Sequence, residues 1–247
     1  MVLGKLVCGN IATPCVASTT LDQLCSSIDR FSEKAMVYLN GEFTDDAQSF
    51  GAFCARVILE NTCAALVGRY DPFRLSYLSE FQTQGGFDYT KAAKSGFKWT
   101  GDVFTDESPT RELWHSDYDI SKISRALFSG YVDHLYWKPA MENALVFLDG
   151  KGISDLHEIK RVEPNKFIKE TKGKCSGLYS KLSKGVHWDF FAPSTLMDEV
   201  TLKDSIRDCF IQVSNMGFIS HFAPTAYRSL SSDDALAIYT EFRETFA

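Results

Sequence analysis

The sequence lacks the short motifs by which many nucleotide-binding and hydrolytic enzymes are recognised. It contains no Gly-x-x-x-x-Gly-Lys-Ser/Thr loop and no Gly-x-Gly-x-x-Gly turn, which are the two common loops that hold phosphates. A Gly-x-Ser-x-Gly turn and a His-Glu-x-x-His helix are absent as well. We therefore do not expect this chain to hydrolyse nucleotides by itself.

The cysteines show no metal-binding or disulfide-framework spacing. There is no Cys-x-x-Cys pair, no histidine lies at zinc-ligand spacing, and an odd number of cysteines does not pair completely. We expect reduced, buried thiols that act as small apolar residues, and neither a metal nor another cofactor. The seven residues are Cys8, Cys15, Cys25, Cys54, Cys63, Cys175 and Cys209.

The chain also lacks a long uninterrupted apolar run. Nothing approaches the roughly 18 consecutive apolar residues that indicate a membrane-spanning helix. The first 20 residues include Asn10 and Pro14, and they do not form the compact apolar segment of a secretory signal. A cytoplasmic protein that makes no membrane contact is the expectation.

Positive charge is in deficit. The 247 residues include 26 lysines and arginines against 32 aspartates and glutamates, a net charge of -6. Overall charge therefore does not attract nucleic acid, although a local basic groove remains compatible with it. At 45% hydrophobic and 23% charged residues, the composition is that of a globular protein.

Apolar residues recur every three to four positions along most of the chain, which predicts an all-α fold. The sequence predicts an extended segment at its start, followed by a first helix that Thr19–Thr20 caps. Phe50 and Phe53 are assigned to the apolar stripe of the second helix, and Phe81 to that of the third. The predicted helices span about 19–40, 44–68, 72–81, 119–135, 139–148, 171–187, 198–222 and 232–246.

Residues 84–118 differ from the rest of the chain. Glycines and Pro109 punctuate this segment, and its aromatic residues follow no sustained period. The pattern predicts one helical domain over residues 1–247, with an irregular aromatic and glycine-rich insertion at about 84–118.

His187 is the histidine whose surroundings best suit chemistry. It closes a predicted helix whose polar face carries Ser180, Ser183 and Lys184 at steps of three and four residues. The alternative is an exposed helix with a histidine near its last carbonyl groups, where the helix dipole favours positive charge.

Two segments resemble the HEPN-like superfamily of helical proteins. The run from Tyr179 to His187 resembles a Tyr-x-x-Leu-Ser-x-x-Val-His pattern of that superfamily, and residues 54–72 resemble its long second helix. The resemblance covers roughly residues 19–82 and 119–222. It implies a bundle of four to six helices and a place in prokaryotic defence against phages and plasmids.

In the ribonuclease members of that superfamily, an arginine precedes the histidine by four to six intervening residues. The corresponding positions here hold Leu182, Lys181 and Ser180, so the catalytic arginine is missing. Lysine keeps the charge but lacks the planar fork that grips a phosphate at two points, which makes Lys181 a poor substitute. The departure favours a non-catalytic helical module.

Arg56 and Glu60 stand one turn apart on an otherwise apolar predicted helix. The simple interpretation is a local ion pair. The alternative is a catalytic constellation in which this pair orients His187, with Lys181 supplying charge. A separation of more than about 10 Å between Glu60 and His187 would rule out that constellation.

Four aromatic residues of the insertion suggest a protein interface. Tyr89, Phe97, Trp99 and Trp114 are of the types that anchor protein interfaces. The alternative is that the insertion packs on its own bundle.

The sequence-based hypothesis is a non-catalytic subunit of an anti-phage or anti-plasmid complex. Such a subunit would scaffold or regulate a partner nuclease or ATPase, for example in an SMC-like, Lamassu-type system, and would meet nucleic acid only through the complex. A metal-independent ribonuclease toxin that acts as a dimer is the main alternative. A third is direct nucleic-acid binding through Lys166, Lys169, Lys172, Lys174, Lys181 and Lys184.

Overall fold

A computed structural model describes residues 2–10, 14–88, 90, 96–105, 113–115, 117, 119, 121, 123–153, 156–186 and 197–246. These residues form an all-α fold, as the sequence predicts, with a single isolated β-bridge between Thr100 and Phe104. The α-helices are α1 (Leu3–Cys8), α2 (Val16–Asn40), α3 (Asp45–Tyr70), α4 (Pro72–Thr83), α5 (Gly130–Val132), α6 (Lys138–Gly150), α7 (His157–Lys160), α8 (Pro164–Val186), α9 (Glu199–Ser220) and α10 (Ser232–Glu244).

Helix α3 forms the centre of the bundle. It packs against α2, α8 and α9, and α4 turns back beside it after Asp71. By length and composition α3 is also the one described helix that is apolar enough to cross a membrane, but 67% of its most apolar window is buried inside the bundle. This burial accounts for its apolar character.

Short polar residues begin several helices as the sequence predicts. The Thr44 hydroxyl accepts a hydrogen bond from the Ala47 amide at 3.2 Å, and Asp45 and Asp46 occupy the first turn of α3. Carboxylates at this end of a helix interact favourably with its dipole. Pro72 then opens α4, where its missing N–H leaves no hydrogen bond unmade.

Several predicted boundaries are wrong. The first residues form α1 instead of an extended segment, and α2 begins at Val16. Thr19 and Thr20 lie inside α2, where their hydroxyls donate back to the carbonyls of residues 15 and 16. Helix α8 begins at Pro164, seven residues earlier than the predicted start.

The helix predicted from Asp119 begins at Gly130. Ser129 caps it by accepting from the Val132 amide at 3.3 Å, and α5 continues through a π-helical turn, Asp133–Trp137, into α6. From residue 113 to residue 128 the described residues are irregular, in turns or, at Ser121, 3₁₀-helical. Two predicted helices are therefore one continuous element. Pro139 lies in the first turn of α6, where a missing N–H is tolerated.

The cysteines are free, and most of them are buried as expected. Cys15 is exposed and Cys25 is half-buried, so these two depart from the prediction. The Tyr227 hydroxyl lies 3.5 Å from the Cys15 sulfur and lowers the pKa of that thiol.

The guanidinium of Arg69 joins three helix ends. Arg69 lies in the last turn of α3 and is fully buried, and no described carboxylate pairs with it. The C-terminal ends of α1 and α9 meet it there, so the negative ends of three helix dipoles surround one positive charge. Its hydrogen-bond acceptors are the carbonyls of Val7 and Tyr227, the hydroxyls of Ser220 and Ser229, and Nδ1 of His221.

His221 extends this network as a neutral imidazole. Its Nε2 lies 2.7 Å from the Leu6 carbonyl, which only accepts, so Nε2 carries the proton. Nδ1 then accepts from Arg69 and from the Leu230 amide, each at 3.0 Å. Burial and the neighbouring Arg69 charge hold the pKa of His221 well below its usual value.

We predict that Arg69→Met strongly destabilises the fold. The substitution leaves several buried acceptors without a donor, which costs about 3 kcal/mol or more in the free energy of unfolding. Urea denaturation of the variant and of the exposed control Arg207→Met measures this. A loss for Arg69→Met as small as that of the control would contradict the role assigned to Arg69.

We also expect the free energy of unfolding to decrease as the pH decreases, because of His221. Because its folded-state pKa lies below the unfolded value of about 6.5, the unfolded chain binds the proton more tightly, and stability present above pH 6.5 is lost as the pH falls. The slope is at most about 1.4 kcal/mol per pH unit. Denaturation of wild type and His221→Gln between pH 7 and pH 5 isolates this contribution, and equal slopes would disprove it.

Candidate functional site

Arg56 and Glu60 form a local ion pair, which was the simpler of the two interpretations of these residues. Arg56 Nε lies 3.1 Å from Glu60 Oε1 across one turn of α3. Arg56 Nη2 also donates to the Tyr179 hydroxyl at 2.8 Å, and the guanidinium carbon lies 4.6 Å from the centre of the Tyr179 ring. The arginine therefore ties α3 to α8.

The same tyrosine holds the insertion. The Trp99 ring stacks on Tyr179 with ring centres 4.2 Å apart and planes 12° from parallel. Arg56, Glu60, Tyr179 and Trp99 thus form one half-buried cluster, which we call the Arg56 cluster. Three of its residues are candidates from the sequence: Arg56 and Glu60 for catalysis and Trp99 for an interface. The fourth, Tyr179, enters the sequence analysis only as the first residue of the Tyr-x-x-Leu-Ser-x-x-Val-His pattern.

A second contact fixes the insertion to α4. Arg74 donates from Nε and Nη2 to the two carboxylate oxygens of Asp102, at 2.7 and 3.0 Å. Phe97, like Trp99, is half-buried and packs against the core. These two aromatic residues pack on their own bundle, which is the alternative to an interface with another protein.

The other two predicted interface aromatics differ from these. Trp114 is 59% exposed, and its ring lies 5.4 Å from that of Tyr131 and 5.6 Å from that of His134. Tyr89 falls outside the described residues. Of the four, Trp114 alone is shown with an exposed ring.

Lys181 does not join the Arg56 cluster. It follows Tyr179 by two residues, which rotates it by about 200° around the helix axis. Lys181 lines a groove between α8 and α9, together with Asp208 and Ile211. Arg56 and Lys181 therefore lie on opposite sides of α8.

His187 falls outside the described residues, and so does any contact that it makes. The described end of α8 points away from Glu60. A methyl group built on Gly185 would lie 2.7 Å from the Ala52 side chain, and Ala52 precedes Glu60 by eight residues, about 12 Å along α3. The described residues therefore bring together only Arg56 and Glu60 of the four proposed catalytic residues.

The lysines of α8 do not form one basic stripe. Lys172 lies with its Nζ 5.8 Å from the ring centre of Phe104 in the insertion. Lys174 and Lys181 line the groove on another side of the helix, and Lys166 pairs with Glu163 at 2.9 Å. The positive charge is spread around α8, which weakens the case for a continuous nucleic-acid track.

The described surface carries a row of exposed aromatic residues that the sequence reasoning missed. Phe73, Tyr77 and Phe81 follow one another at intervals of four on α4 and are 67%, 51% and 46% exposed. Successive ring centres lie 6.1 and 6.3 Å apart. We call these three residues the α4 aromatic row.

The row has a signal in the sequence. Leu75 and Leu78 are the buried residues of α4, and the aromatics repeat on a second, separate face of the same helix. Phe81 is therefore exposed, against its assignment to the buried face. Phe50 and Phe53 of α3, assigned to an apolar stripe, are exposed as well.

Comparisons with known proteins identify no relative. No family model, no curated protein and no solved structure matches the chain. Within the part of the chain that the structure describes, no three histidine, cysteine or acidic side chains converge as metal ligands would.

We predict that Arg56 and Tyr179 are energetically coupled. The charged hydrogen bond and the ring contact together are expected to give a coupling free energy of about 1 kcal/mol, because the pair is partly buried. A double-mutant cycle with Arg56→Met and Tyr179→Leu measures it by urea denaturation. Additive losses of stability would show that the Arg56 cluster does not link α3 to α8.

Proposed function

We propose that the protein is a non-catalytic, cytoplasmic subunit of a prokaryotic anti-phage or anti-plasmid complex. In this role it binds a partner nuclease or ATPase, as in an SMC-like, Lamassu-type system, and positions or regulates that partner. The resemblance to HEPN-like proteins supports the defence context. The α4 aromatic row supports the partner-binding role.

The α4 aromatic row carries the proposal for a physical reason. Three large aromatic side chains on one helix face remove substantial apolar area from water when a partner covers them, and aromatic residues are enriched at interfaces. Contiguous exposed apolar patches often mark sites of interaction with other proteins.

The Arg56 cluster supports the non-catalytic part of the proposal. Its arginine, carboxylate and tyrosine are engaged with one another and with Trp99, and they hold the insertion in place. A group committed to packing is poorly placed to stabilise charge that develops on a substrate. Lys181 faces the groove on the other side of α8.

We predict that Tyr77→Glu separates the protein from its partner. A charge at the centre of the row is expected to reduce partner recovery at least tenfold when a tagged chain is purified from its native host, and to abolish protection against phage. The variant should remain folded, since surface substitutions usually change the free energy of unfolding by less than about 1 kcal/mol.

The matched control is Val146→Glu, which introduces the same charge at an exposed apolar residue of α6. It should retain both partner recovery and protection. If the two variants show equal partner recovery and equal protection, the α4 aromatic row no longer supports the proposed partner binding.

The ribonuclease alternative is tested on the purified chain. Transfer RNA and mixed RNA are incubated with the protein in a chelator, with His187→Ala as the comparison. We expect intact RNA in both samples. Cleavage by wild type that His187→Ala abolishes would contradict the non-catalytic assignment.

A further inference from the structure

The groove between α8 and α9 is a second feature that the described residues leave open. It has a volume of about 530 Å³, and apolar side chains of Ile159, Phe167, Leu178 and Ile211 form part of its wall. Residues 167–181 of α8 and 208–215 of α9 line it, together with residues 158–162 in and after α7, so the α8 wall extends over about 21 Å and the α9 wall over about 10.5 Å.

An amide that lines the groove has no partner in the described part of the chain. Gln212 is 7% exposed, and its amide makes no hydrogen bond to a described residue but stays accessible from the groove. An amide that both donates and accepts, one turn before Asn215 on the same wall, is suited to a polar group of an incoming ligand.

Gly177 leaves space in the opposite wall. It lies inside α8, where glycine is unfavourable relative to alanine, and a methyl group built on it would meet no atom within 4 Å. Packing within the chain explains Gly185, whose added methyl would meet Ala52, but it does not explain Gly177. The missing side chain permits the backbone of a bound segment to come close to α8.

Beside Gly177 the charges on the two helices differ in sign. Lys174 and Lys181 stand on α8 on either side of Gly177, with Glu170 one turn before Lys174, and Asp208 stands on α9. Glu158 and Arg161 add one charge of each sign on the α7 side of the groove. Among the residues described, neither lysine forms an ion pair, and Asp208 forms none. Unpaired charges of opposite sign along the two walls favour a ligand with the complementary pattern.

We propose that this groove binds one amphipathic α-helix of a partner protein. The helix lays its apolar stripe on Leu178 and Ile211, with its backbone close to Gly177. Acidic residues seven positions apart on one flank meet Lys174 and Lys181, and a basic residue on the other flank meets Asp208. The proposal rests on the proposed function, since it requires a partner chain, and adds a recognition element on a different face from the α4 aromatic row.

The test uses Gly177→Leu and its matched control Gly173→Leu. Gly173 also lies inside α8 with no atom within 4 Å of an added methyl group, but it does not line the groove. Leucine has a higher helix propensity than glycine, so the Tm of both variants should stay the same or rise by about 1 to 4 °C. This shift serves as the folding control.

The ligand probes are synthetic peptides of about 20 residues that cover each helix of the partner recovered from the native host. We expect fluorescence anisotropy to identify one binding peptide with acidic residues seven positions apart. Gly177→Leu, or Lys174→Glu with Lys181→Glu, should weaken its binding at least tenfold, and Gly173→Leu less than twofold.

The outcomes separate this proposal from the proposed function. If a partner is recovered but no helical peptide binds, or if both leucine variants bind equally, the groove proposal is wrong while the subunit role stands. Unchanged binding after the peptide's acidic residues are replaced by lysine also overturns it. If the tagged wild-type chain recovers no partner from the native host, both proposals are wrong.

Discussion

The buried guanidinium of Arg69 is the constraint on which the arrangement of the bundle depends. A fully buried arginine is normally neutralised by a carboxylate, and no described carboxylate pairs with this one. Burial lowers the pKa of Arg69 to about 10, so the side chain stays charged at neutral pH. Carbonyls, hydroxyls and a neutral imidazole satisfy it, and they belong to the ends of α1 and α9 and to the segment that leads into α10.

This arrangement closes one end of the bundle. The end of α1 cannot move away from α3 or α9 without leaving a buried donor or acceptor unmade, because the same guanidinium serves all three. The chain that follows α9 is held against α2 by a second buried arginine, Arg228, which donates to the Ser18 carbonyl and pairs with Asp22 at 2.8 Å. The two surfaces that we propose for partner binding are α4 and the groove beside α8.

The sequence predicts the all-α fold and the start of α3 because both depend on local chemistry: apolar periodicity in one case, and Thr44 with Asp45 and Asp46 in the other. It does not predict Arg69, since the acceptors of Arg69 are mostly backbone atoms and hydroxyls from distant segments, which leave no spacing to recognise. The boundary at Gly130 is missed because the apolar residues before it keep a helical period although the backbone there is irregular.

The candidate site likewise combines a local feature that the sequence predicts with long-range contacts that it does not predict. The i, i+4 pair of Arg56 and Glu60 follows from helix geometry, and the ion pair is present. Its link to Tyr179 and Trp99 joins residues far apart in the sequence, so no local pattern indicates it. The sequence places Tyr179 and Lys181 in one motif, but the helix turns them to opposite sides. The spacing of Phe73, Tyr77 and Phe81 is visible in the sequence, but their exposure follows only from the burial of Leu75 and Leu78.

We propose that this chain acts by binding another protein. A structure of the assembly purified from the native host, determined by electron microscopy, is the decisive measurement. We expect Phe73, Tyr77 and Phe81 to be covered by a different polypeptide. A homodimer that leaves these three side chains in solvent and brings the two copies of His187 together would contradict it.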